Sequence, residues 1–251
     1  MSSLLEAHSG SAPSCVRRWA VIGSLGLALL MVSDTGDAAD CAVLLHGLAR
    51  GSSSMNVLAE ALADDGFVVH NIDYPSTSAG VEQLSVATVG AALNLCADAP
   101  RVHFVTHSLG GILVRQQLAL QQPPNMGKVV MLGPPNGGSE LVDQLGEFPG
   151  FAWINGPAGS ELGTDPRSIP RNLPAVDYPV GVIAGNRSMN PLYSGLLPGP
   201  DDGKVTVQST HVQGEADHRV LPVSHTFMMR DDTVIRQTLH FLHHGRFEGV
   251  P

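Results

Sequence analysis

The feature that most constrains this chain is a serine placed between an apolar strand and a helix. Val102–Val105 form a short β-rich apolar run, and the sequence T-H-S-L-G-G (residues 106–111) follows it directly. A helical pattern then continues to Leu120. A serine at the apex of such a turn exposes its hydroxyl near the helix N-terminus, and the crowded turn requires small neighbours such as the two glycines. Although Thr106 stands where these turns usually carry glycine, the context predicts Ser108 as a catalytic nucleophile.

Around this turn the chain alternates between short apolar runs and longer helical segments. Continuous apolar runs are typical of parallel strands that are covered on both faces. The predicted strands are Ala42–Leu45, Phe67–Ile72, Val102–Thr106, Lys128–Leu132, Val180–Ala184 and Arg219–Pro222. The predicted helices are Met55–Asp65, Val81–Cys96, Leu109–Gln121, Leu141–Gly146 and Thr233–His243. This alternation predicts an α/β fold with a mostly parallel, doubly wound sheet of about six strands and helices on both faces.

One long stretch breaks the alternation. Residues 133–179 are rich in glycine, proline and asparagine, and they contain one weak helix and the aromatic residues Phe148, Phe151 and Trp153. Long loops in compact domains are often functional. Two interpretations of residues 137–178 therefore stay open: a lid or substrate rim, and a surface loop with a few aromatic side chains in the core.

A second glycine-rich loop follows the first predicted strand. Ala42–Leu45 lead into the sequence H-G-L-A-R-G (residues 46–51). Acyl transfer creates an oxyanion, which requires two N–H donors already aimed at it. In a strand–turn–helix site of this kind, one donor directly follows the nucleophile and the other lies in the loop after an earlier strand. Leu109 and Leu48 occupy these positions and are the predicted oxyanion hole.

These motifs together resemble the bacterial lipases and esterases of the α/β-hydrolase superfamily. Tyr74-Pro75-Ser76, after the second predicted strand, and L-G-P-P-N-G-G-S (residues 132–139), after the fourth, add to the resemblance. It covers roughly residues 41–245 and is strongest to compact members that begin directly at the third strand of the full fold. The resemblance implies an α/β-hydrolase fold and ester hydrolysis without a cofactor or a metal.

The resemblance also implies the partners of Ser108. In this family the acid and then the histidine follow the serine along the chain. The sequence D-D-G-K-V after the fifth predicted strand is similar to the family's acid loop, which implies that Asp202 orients the base, with Asp201 left open as the alternative. The sequence P-V-S-H-T after the last predicted strand is similar to the family's histidine segment. His225 is therefore the predicted general base, and His218 is the alternative.

The N-terminal segment predicts export. An arginine pair precedes the apolar run Trp19–Val32, and small residues, including Ala38, follow it. As a helix this run is about 21 Å long, which is short for a hydrocarbon core of about 30 Å. A signal peptide over residues 1–38 is therefore predicted, with an uncleaved membrane anchor as the alternative, and residues 39–251 form the predicted hydrolase domain. The protein is expected to be periplasmic or secreted.

The cysteines are consistent with export. Of the 3 cysteines, Cys15 lies in the predicted signal, so Cys41 and Cys96 remain in the domain. An even number of cysteines in an oxidising compartment predicts a disulfide, with two buried thiols as the alternative. No C-x-x-C sequence is present, so neither a zinc site nor a redox motif is predicted.

The charge balance restricts the partners. Asp and Glu number 23 against 14 Lys and Arg, a formal net charge of -9, and no basic cluster is present. This argues against a nucleic-acid partner. The expected partner is a small-molecule or lipid ester, with contact to a membrane surface as a further expectation and the oligomeric state open. An acyltransferase or thioesterase would use the same residues, and a non-catalytic binding protein would share the fold.

Overall fold

Six apolar runs form one parallel sheet in the computed structural model, which describes residues 38–146, 148 and 150–249. The strands are β1 (Cys41–Leu45), β2 (Val68–Ile72), β3 (Val102–His107), β4 (Met126–Leu132), β5 (Val180–Gly185) and β6 (Asp217–Leu221). Their order across the sheet is β2-β1-β3-β4-β5-β6, and every neighbouring pair is parallel. The predicted α/β fold with a parallel sheet is therefore confirmed. The predicted signal, residues 1–38, lies outside the described residues except for Ala38.

Two strands, β4 and β6, begin two residues earlier than predicted, in sequence that mixes apolar and polar residues. β4 begins at Met126 instead of Lys128, and β6 runs over Asp217–Leu221 instead of Arg219–Pro222. Pairing with the neighbouring strand explains both, because a strand continues as far as its neighbour offers hydrogen-bonding groups. Asp217 is paired with Gly181 of β5, although no apolar pattern marks it.

Helices connect the strands and cover both faces of the sheet. They are α1 (Asn56–Asp64), α2 (Val81–Leu84), α3 (Ala91–Leu95), α4 (Leu109–Leu120), α5 (Glu140–Leu145), α6 (Phe151–Ser160), α7 (Ile169–Asn172), α8 (Pro191–Ser194) and α9 (Asp232–His244). The predicted helix over Val81–Cys96 is found as an unbroken helical run from Val81 to Leu95, and its central part, Ser85–Gly90, is π-helical and separates α2 from α3. The β-branched residues of this central part and Gly90 are weak helix formers. No helix of the described chain has the length and apolar character that a membrane span requires.

Two apolar clusters lie on opposite faces of the sheet. Alternate residues of each strand face each cluster: Val43 and Leu45 belong to the first, whereas Ala42 and Leu44 belong to the second. Helix α4 packs its buried residues in the first cluster, and α9 packs in the second. The two-sided burial explains why the strands are continuously apolar.

The segment 137–178 contains more regular structure than predicted. Three helices, α5, α6 and α7, replace the single weak helix of the prediction. Helix α6 is interrupted at Gly156, where φ is 65°, and a proline follows it directly. The side chain of Trp153 is 88% exposed and that of Phe148 is 63% exposed, so neither is in the core. The side chain of Phe151 lies outside the described residues.

A disulfide joins β1 to the end of α3. The sulfur atoms of Cys41 and Cys96 are bonded, their Cα atoms are 5.8 Å apart, and the two residues are separated by 55 positions. Both residues are buried at the edge of the first cluster. The bond therefore holds the α2–α3 segment against the N-terminal end of β1.

Removing this disulfide is expected to lower the free energy of unfolding by about 2–4 kcal/mol, because the unfolded chain regains the freedom of a long loop. The measurement is urea unfolding of the Cys41→Ala/Cys96→Ala double variant. The wild-type protein under reducing conditions is the control and should approach the variant. An unchanged unfolding midpoint in the variant would contradict the expectation.

Candidate active site

The sheet topology places two loops side by side at the point where the strand order reverses. β1 and β3 are neighbours, their helices leave towards opposite faces, and Leu45 is paired with Thr106. Ligand sites of open α/β sheets lie at this kind of switch point. Because the pairing is in register, the next residues of each loop also meet: a Cβ added at Gly47 would lie 3.2 Å from Cβ of Ser108. The two loops predicted from sequence are thus in contact.

Ser108 occupies a strained backbone position. Its φ is 52° and its ψ is -118°, and Ala49 is the only other non-glycine residue of the described chain with a positive φ. Non-glycine residues with such sparsely populated backbone angles are found preferentially at functional sites. Helix α4 begins at the next residue, and a Cβ added at Gly110 would lie 2.7 Å from the carbonyl oxygen of Leu45. Glycine is therefore required there for α4 to approach β1 so closely.

The loop after β1 is held by two side chains from the loop after β2. The N–H of Ala49, at a φ of 53°, donates to Oγ of the buried Ser76 at 3.0 Å. The hydroxyl of Tyr74 donates to the carbonyl oxygen of His46 at 2.6 Å, and the two rings stack with centroids 4.1 Å apart. Sequence reasoning did not assign roles to Tyr74 and Ser76, although it noted their motif.

The buried His46 is neutral and structural. Its Nδ1–H donates to the carbonyl of Gly47, and its Nε2 accepts from the N–H of Tyr74, so no second ring proton is accommodated. Burial lowers the pKa of His46. Asp73 lies 3.6 Å from Nε2 and raises the pKa of His46, but its side chain is largely exposed, so this contact does not offset the effect of burial on the pKa.

Of the two predicted oxyanion donors, Leu109 directly follows Ser108, and Leu48 directly follows Gly47, which adjoins Ser108. No backbone hydrogen bond within the described chain uses the N–H of Leu48 or of Leu109. Leu109 is the first residue of α4, where the N–H groups of a helix have no intrahelical partner. The N–H of Leu109 is thus at a helix N-terminus, where anions are commonly bound.

A buried carboxylate–imidazole pair lies at the carboxyl ends of β5 and β6. Nδ1 of His225 donates to Oδ2 of Asp202 at 2.7 Å, and both side chains are almost completely buried. The other oxygen, Oδ1, accepts from the backbone N–H groups of Lys204 and Val205. Because a carboxylate only accepts, Nδ1 carries a proton and Nε2 is the free ring nitrogen.

The neighbouring Asp201 has a different environment. Its Oδ1 accepts from the hydroxyl of Ser194 at 2.8 Å and from the N–H of Gly203 at 2.7 Å. It therefore stabilises its own loop and does not contact His225. The alternative histidine, His218, bonds to Oγ1 of Thr210 at 2.8 Å and belongs to another part of the surface.

Gly133, at the end of β4, leaves room for the pair. A Cβ added there would lie 2.9 Å from Oδ2 of Asp202 and 3.1 Å from Nδ1 of His225, and its φ is 54°. Only glycine fits a position that is both left-handed and in contact with another residue's polar atoms. The strand between Ser108 and the pair thus ends without a side chain. No sequence pattern marks this role, because the contact joins residues far apart in the chain.

His107 supports the histidine loop from beneath. Its Nε2–H donates to the carbonyl oxygen of His225 at 2.9 Å, and the ring centroids are 4.7 Å apart. Burial holds the pKa of His107 well below its usual range, and the charge of His225 acts in the same direction. A neutral His107 at this position restricts the loop without adding a charge beside His225.

A cavity of about 310 Å³ opens at these groups. Ser108, His107, His225 and Leu48 line it on the sheet side. The segment 137–178 supplies the apolar wall: Leu141, Val142, Leu145, Ile154 and Leu162. Arg50 and Lys204 are the cationic residues of the lining. The structure thus brings Ser108 and His225 to one cavity, with Asp202 behind the histidine.

Comparison with known proteins agrees with this architecture. The sequence profile described as the alpha/beta hydrolase family matches residues 42–245. A search of the curated proteins finds no significant match to the chain.

Solved structures of lipolytic enzymes share the fold. A lipase from Bacillus licheniformis, in its mature form, is 20% identical with a TM-score of 0.65, and the alignment covers 82% of this chain and 93% of that one. A phospholipase from Legionella pneumophila is 21% identical with a TM-score of 0.62, covering 80% of this chain but only 57% of that one. Lipase B from Aspergillus fumigatus is 15% identical with a TM-score of 0.59, covering 82% and 53%.

Proposed function

The chain belongs to the alpha/beta hydrolase family, and we propose that this hydrolase cleaves carboxylic esters with Ser108 as nucleophile, His225 as general base and Asp202 as the orienting acid. One observation carries the proposal: a serine at a strained turn and a buried Asp–His pair open into the same cavity. Strained serines and buried, hydrogen-bonded Asp–His pairs that open into a cavity are found preferentially at functional sites.

The proton transfers follow from the hydrogen bonds. Asp202 holds the Nδ1–H tautomer of His225, so Nε2 accepts the proton of the Ser108 hydroxyl as its oxygen attacks the ester carbonyl. The resulting imidazolium is stabilised by the carboxylate. It then returns the proton to the alkoxide of the leaving alcohol as the ester bond breaks and an acyl-enzyme forms.

The oxyanion of each tetrahedral intermediate would bind the N–H groups of Leu48 and Leu109. Backbone donors held in place before the reaction would stabilise the oxyanion with little reorganisation. Ser76 contributes indirectly, because its hydroxyl fixes the backbone next to Leu48 through the N–H of Ala49. Water activated by His225 would then attack the acyl-enzyme and release the acid.

The acyl group would bind against the apolar wall of segment 137–178. We propose that this segment is a substrate rim, because it lines the cavity. Ile154 and Tyr193 line the cavity, and each has an exposed apolar neighbour in the sequence. Trp153 precedes Ile154, and Leu192, which is 80% exposed, precedes Tyr193. Such a patch around a cavity is suited to contact with a lipid surface. The disulfide and the N-terminal sequence support the further proposal that the protein is exported.

A fluorophosphonate probe tests the proposed nucleophile. Folded wild-type protein is expected to gain the mass of one phosphonyl group, because an activated serine displaces fluoride from the probe. Intact mass spectrometry measures the addition, and peptide mapping is expected to place it on Ser108. Hydrolysis of p-nitrophenyl butyrate by the same preparation tests the ester reaction.

Ser139 provides a matched control because it lines the same cavity while its hydroxyl donates to the carbonyl oxygen of Lys204. The Ser139→Ala variant is expected to be labelled, whereas Ser108→Ala is not. Folded wild-type protein that is neither labelled nor active on the ester would sink the hydrolase proposal and favour a binding protein.

A further inference from the structure

Two cationic side chains line the cavity that contains Ser108 and His225. Arg50 lies two residues after Leu48 in the loop that follows β1, and Lys204 lies two residues after Asp202 in the loop that follows β5. The chain carries a formal net charge of -9, so its average composition does not predict two cations at one cavity. The reason for two cationic side chains at this cavity must therefore lie in the contacts around them.

Neither cation forms an ion pair at contact distance in the described part of the chain. Its ion pairs include neither Arg50 nor Lys204. Arg50 makes one hydrogen bond, from Nη2 to the carbonyl oxygen of Thr226 at 3.2 Å. No described residue accepts a hydrogen bond from the ammonium of Lys204, whose hydrogen bonds use the backbone.

Cations with a structural role are bound differently in this protein. The buried Arg115 donates to four residues around the base of segment 137–178: Asn136, Pro170, Leu173 and Pro174. Lys128, the only other lysine, donates from Nζ to the carbonyl oxygens of Leu242 and His243. Lys204 lacks such acceptors, so its side chain contributes little to the fold by hydrogen bonding.

The environment of the two cations favours an anion between them. The Lys204 side chain is exposed, but protein atoms near its ammonium partly desolvate it, which lowers its pKa. The charge of Arg50 lowers the pKa further, and the carboxylate of Asp202 acts in the opposite direction. Burial likewise lowers the pKa of Arg50, and the charge of Arg230 adds to this. The opposite charge of a bound anion would offset both the cost of partial desolvation and the repulsion between the cations.

The cations lie on the side of the cavity where the leaving alcohol is expected. His225 returns its proton to that alcohol, and Arg50 bonds to the residue next to His225. Lys204 donates its backbone N–H to the carboxylate of Asp202. The apolar wall is formed by side chains of segment 137–178, which also contacts the loop of Lys204 through the hydroxyl of Ser139. An ester with an apolar acyl group and an anionic alcohol portion would match both sides.

We propose that Arg50 and Lys204 bind an anionic group, a phosphate or a carboxylate, on the alcohol portion of the ester substrate. This inference rests on the proposed ester hydrolysis for its orientation. Arg50 also ties the loop after β1 to the histidine loop, so its substitution would change both binding and geometry. Lys204 is therefore the residue to test.

The test compares three butyrate esters with the same acyl group: those of glycerol, glycerol 3-phosphate and glycerate. Wild-type protein is expected to prefer the anionic esters, measured as the ratio of their kcat/KM to that of the glycerol ester. In Lys204→Gln this ratio is expected to fall about tenfold, and in Lys204→Glu further, because a charge-assisted contact is lost or reversed. Lys128→Gln, which removes the same charge outside the cavity, is expected to keep the wild-type ratio.

Salt provides a second readout that a merely structural lysine would not affect. Raising sodium chloride from about 50 mM to about 500 mM is expected to reduce the wild-type preference and to change that of Lys204→Gln much less. Preference for the phosphate ester alone identifies a phosphate site, and preference for both identifies a general anion site. Both outcomes support the proposal.

Binding without turnover separates this inference from the proposed function. Calorimetry is expected to show that glycerol 3-phosphate binds Ser108→Ala about tenfold more tightly than Ser108→Ala/Lys204→Gln. Equal affinities, or an anionic-to-neutral ratio that Lys204→Gln leaves unchanged, would overturn the anion site even if ester hydrolysis is normal. If affinity depends on Lys204 while no ester is hydrolysed, the anion site stands and the hydrolase proposal fails.

Discussion

Replacing Ser108 by alanine is expected to lower kcat on p-nitrophenyl butyrate by at least about a thousandfold. The variant keeps the cavity, the oxyanion donors and the Asp–His pair, but it has no oxygen with which to form an acyl-enzyme. Alanine has a Cβ like serine and no additional atom, so the backbone at a φ of 52° is as strained as before and the fold should be retained. Only the covalent route is removed.

The measurement is initial-rate kinetics on the purified variant, with circular dichroism to verify the fold. Ser139→Ala is the matched control, since it removes a hydroxyl from the same cavity and is expected to keep activity within about tenfold of wild type. Turnover by Ser108→Ala at the wild-type rate would show that another group performs the reaction.

Replacing Asp202 by asparagine is expected to lower kcat by about 100- to 10,000-fold at neutral pH. The two backbone donors at Lys204 and Val205 require an oxygen at Oδ1, so the amide nitrogen must occupy the position of Oδ2. There it donates to Nδ1 of His225 and forces the ring proton onto Nε2. A histidine with that tautomer cannot accept the proton of Ser108.

Asp201→Asn is the matched control for this substitution. The carboxylate of Asp201 accepts from Ser194 and Gly203 through Oδ1, and an asparagine oxygen can keep both hydrogen bonds. The control is therefore expected to stay within about tenfold of wild-type kcat. A larger loss of kcat in Asp201→Asn than in Asp202→Asn would show that Asp201, and not Asp202, orients His225.

Much of the fold is predictable because it depends on the pattern of apolar residues that are close together in the chain. The six strands are found within a few residues of their predicted positions, since parallel strands buried on both faces need continuous apolar runs. The predicted bounds fail where pairing overrides the pattern, as at β6, and the pattern does not show that the middle of the helical run Val81–Leu95 is π-helical. The prediction also fails in segment 137–178, where short helices lack a clear period.

The turn at Ser108 follows from adjacent residues alone, because an apolar strand, a tight turn with small neighbours and a helix are all local requirements. The order of the acid and the histidine along the chain likewise limits the candidates to a few positions. Sequence is sufficient for the turn because its residues are neighbours in the chain, whereas the acid and the histidine are implied by the resemblance to the family.

Only the tertiary structure decides which distant residues meet at that serine. It brings the carboxylate of Asp202 to His225 while Asp201 bonds within its own loop, although the two aspartates are adjacent in sequence. It places Gly133 against the pair, and it brings Arg50 and Lys204 to one cavity without a contact ion pair to either in the described chain. The physical reason is that these contacts join separate strands of one sheet edge, so their distances depend on strand order and register and not on spacing along the chain.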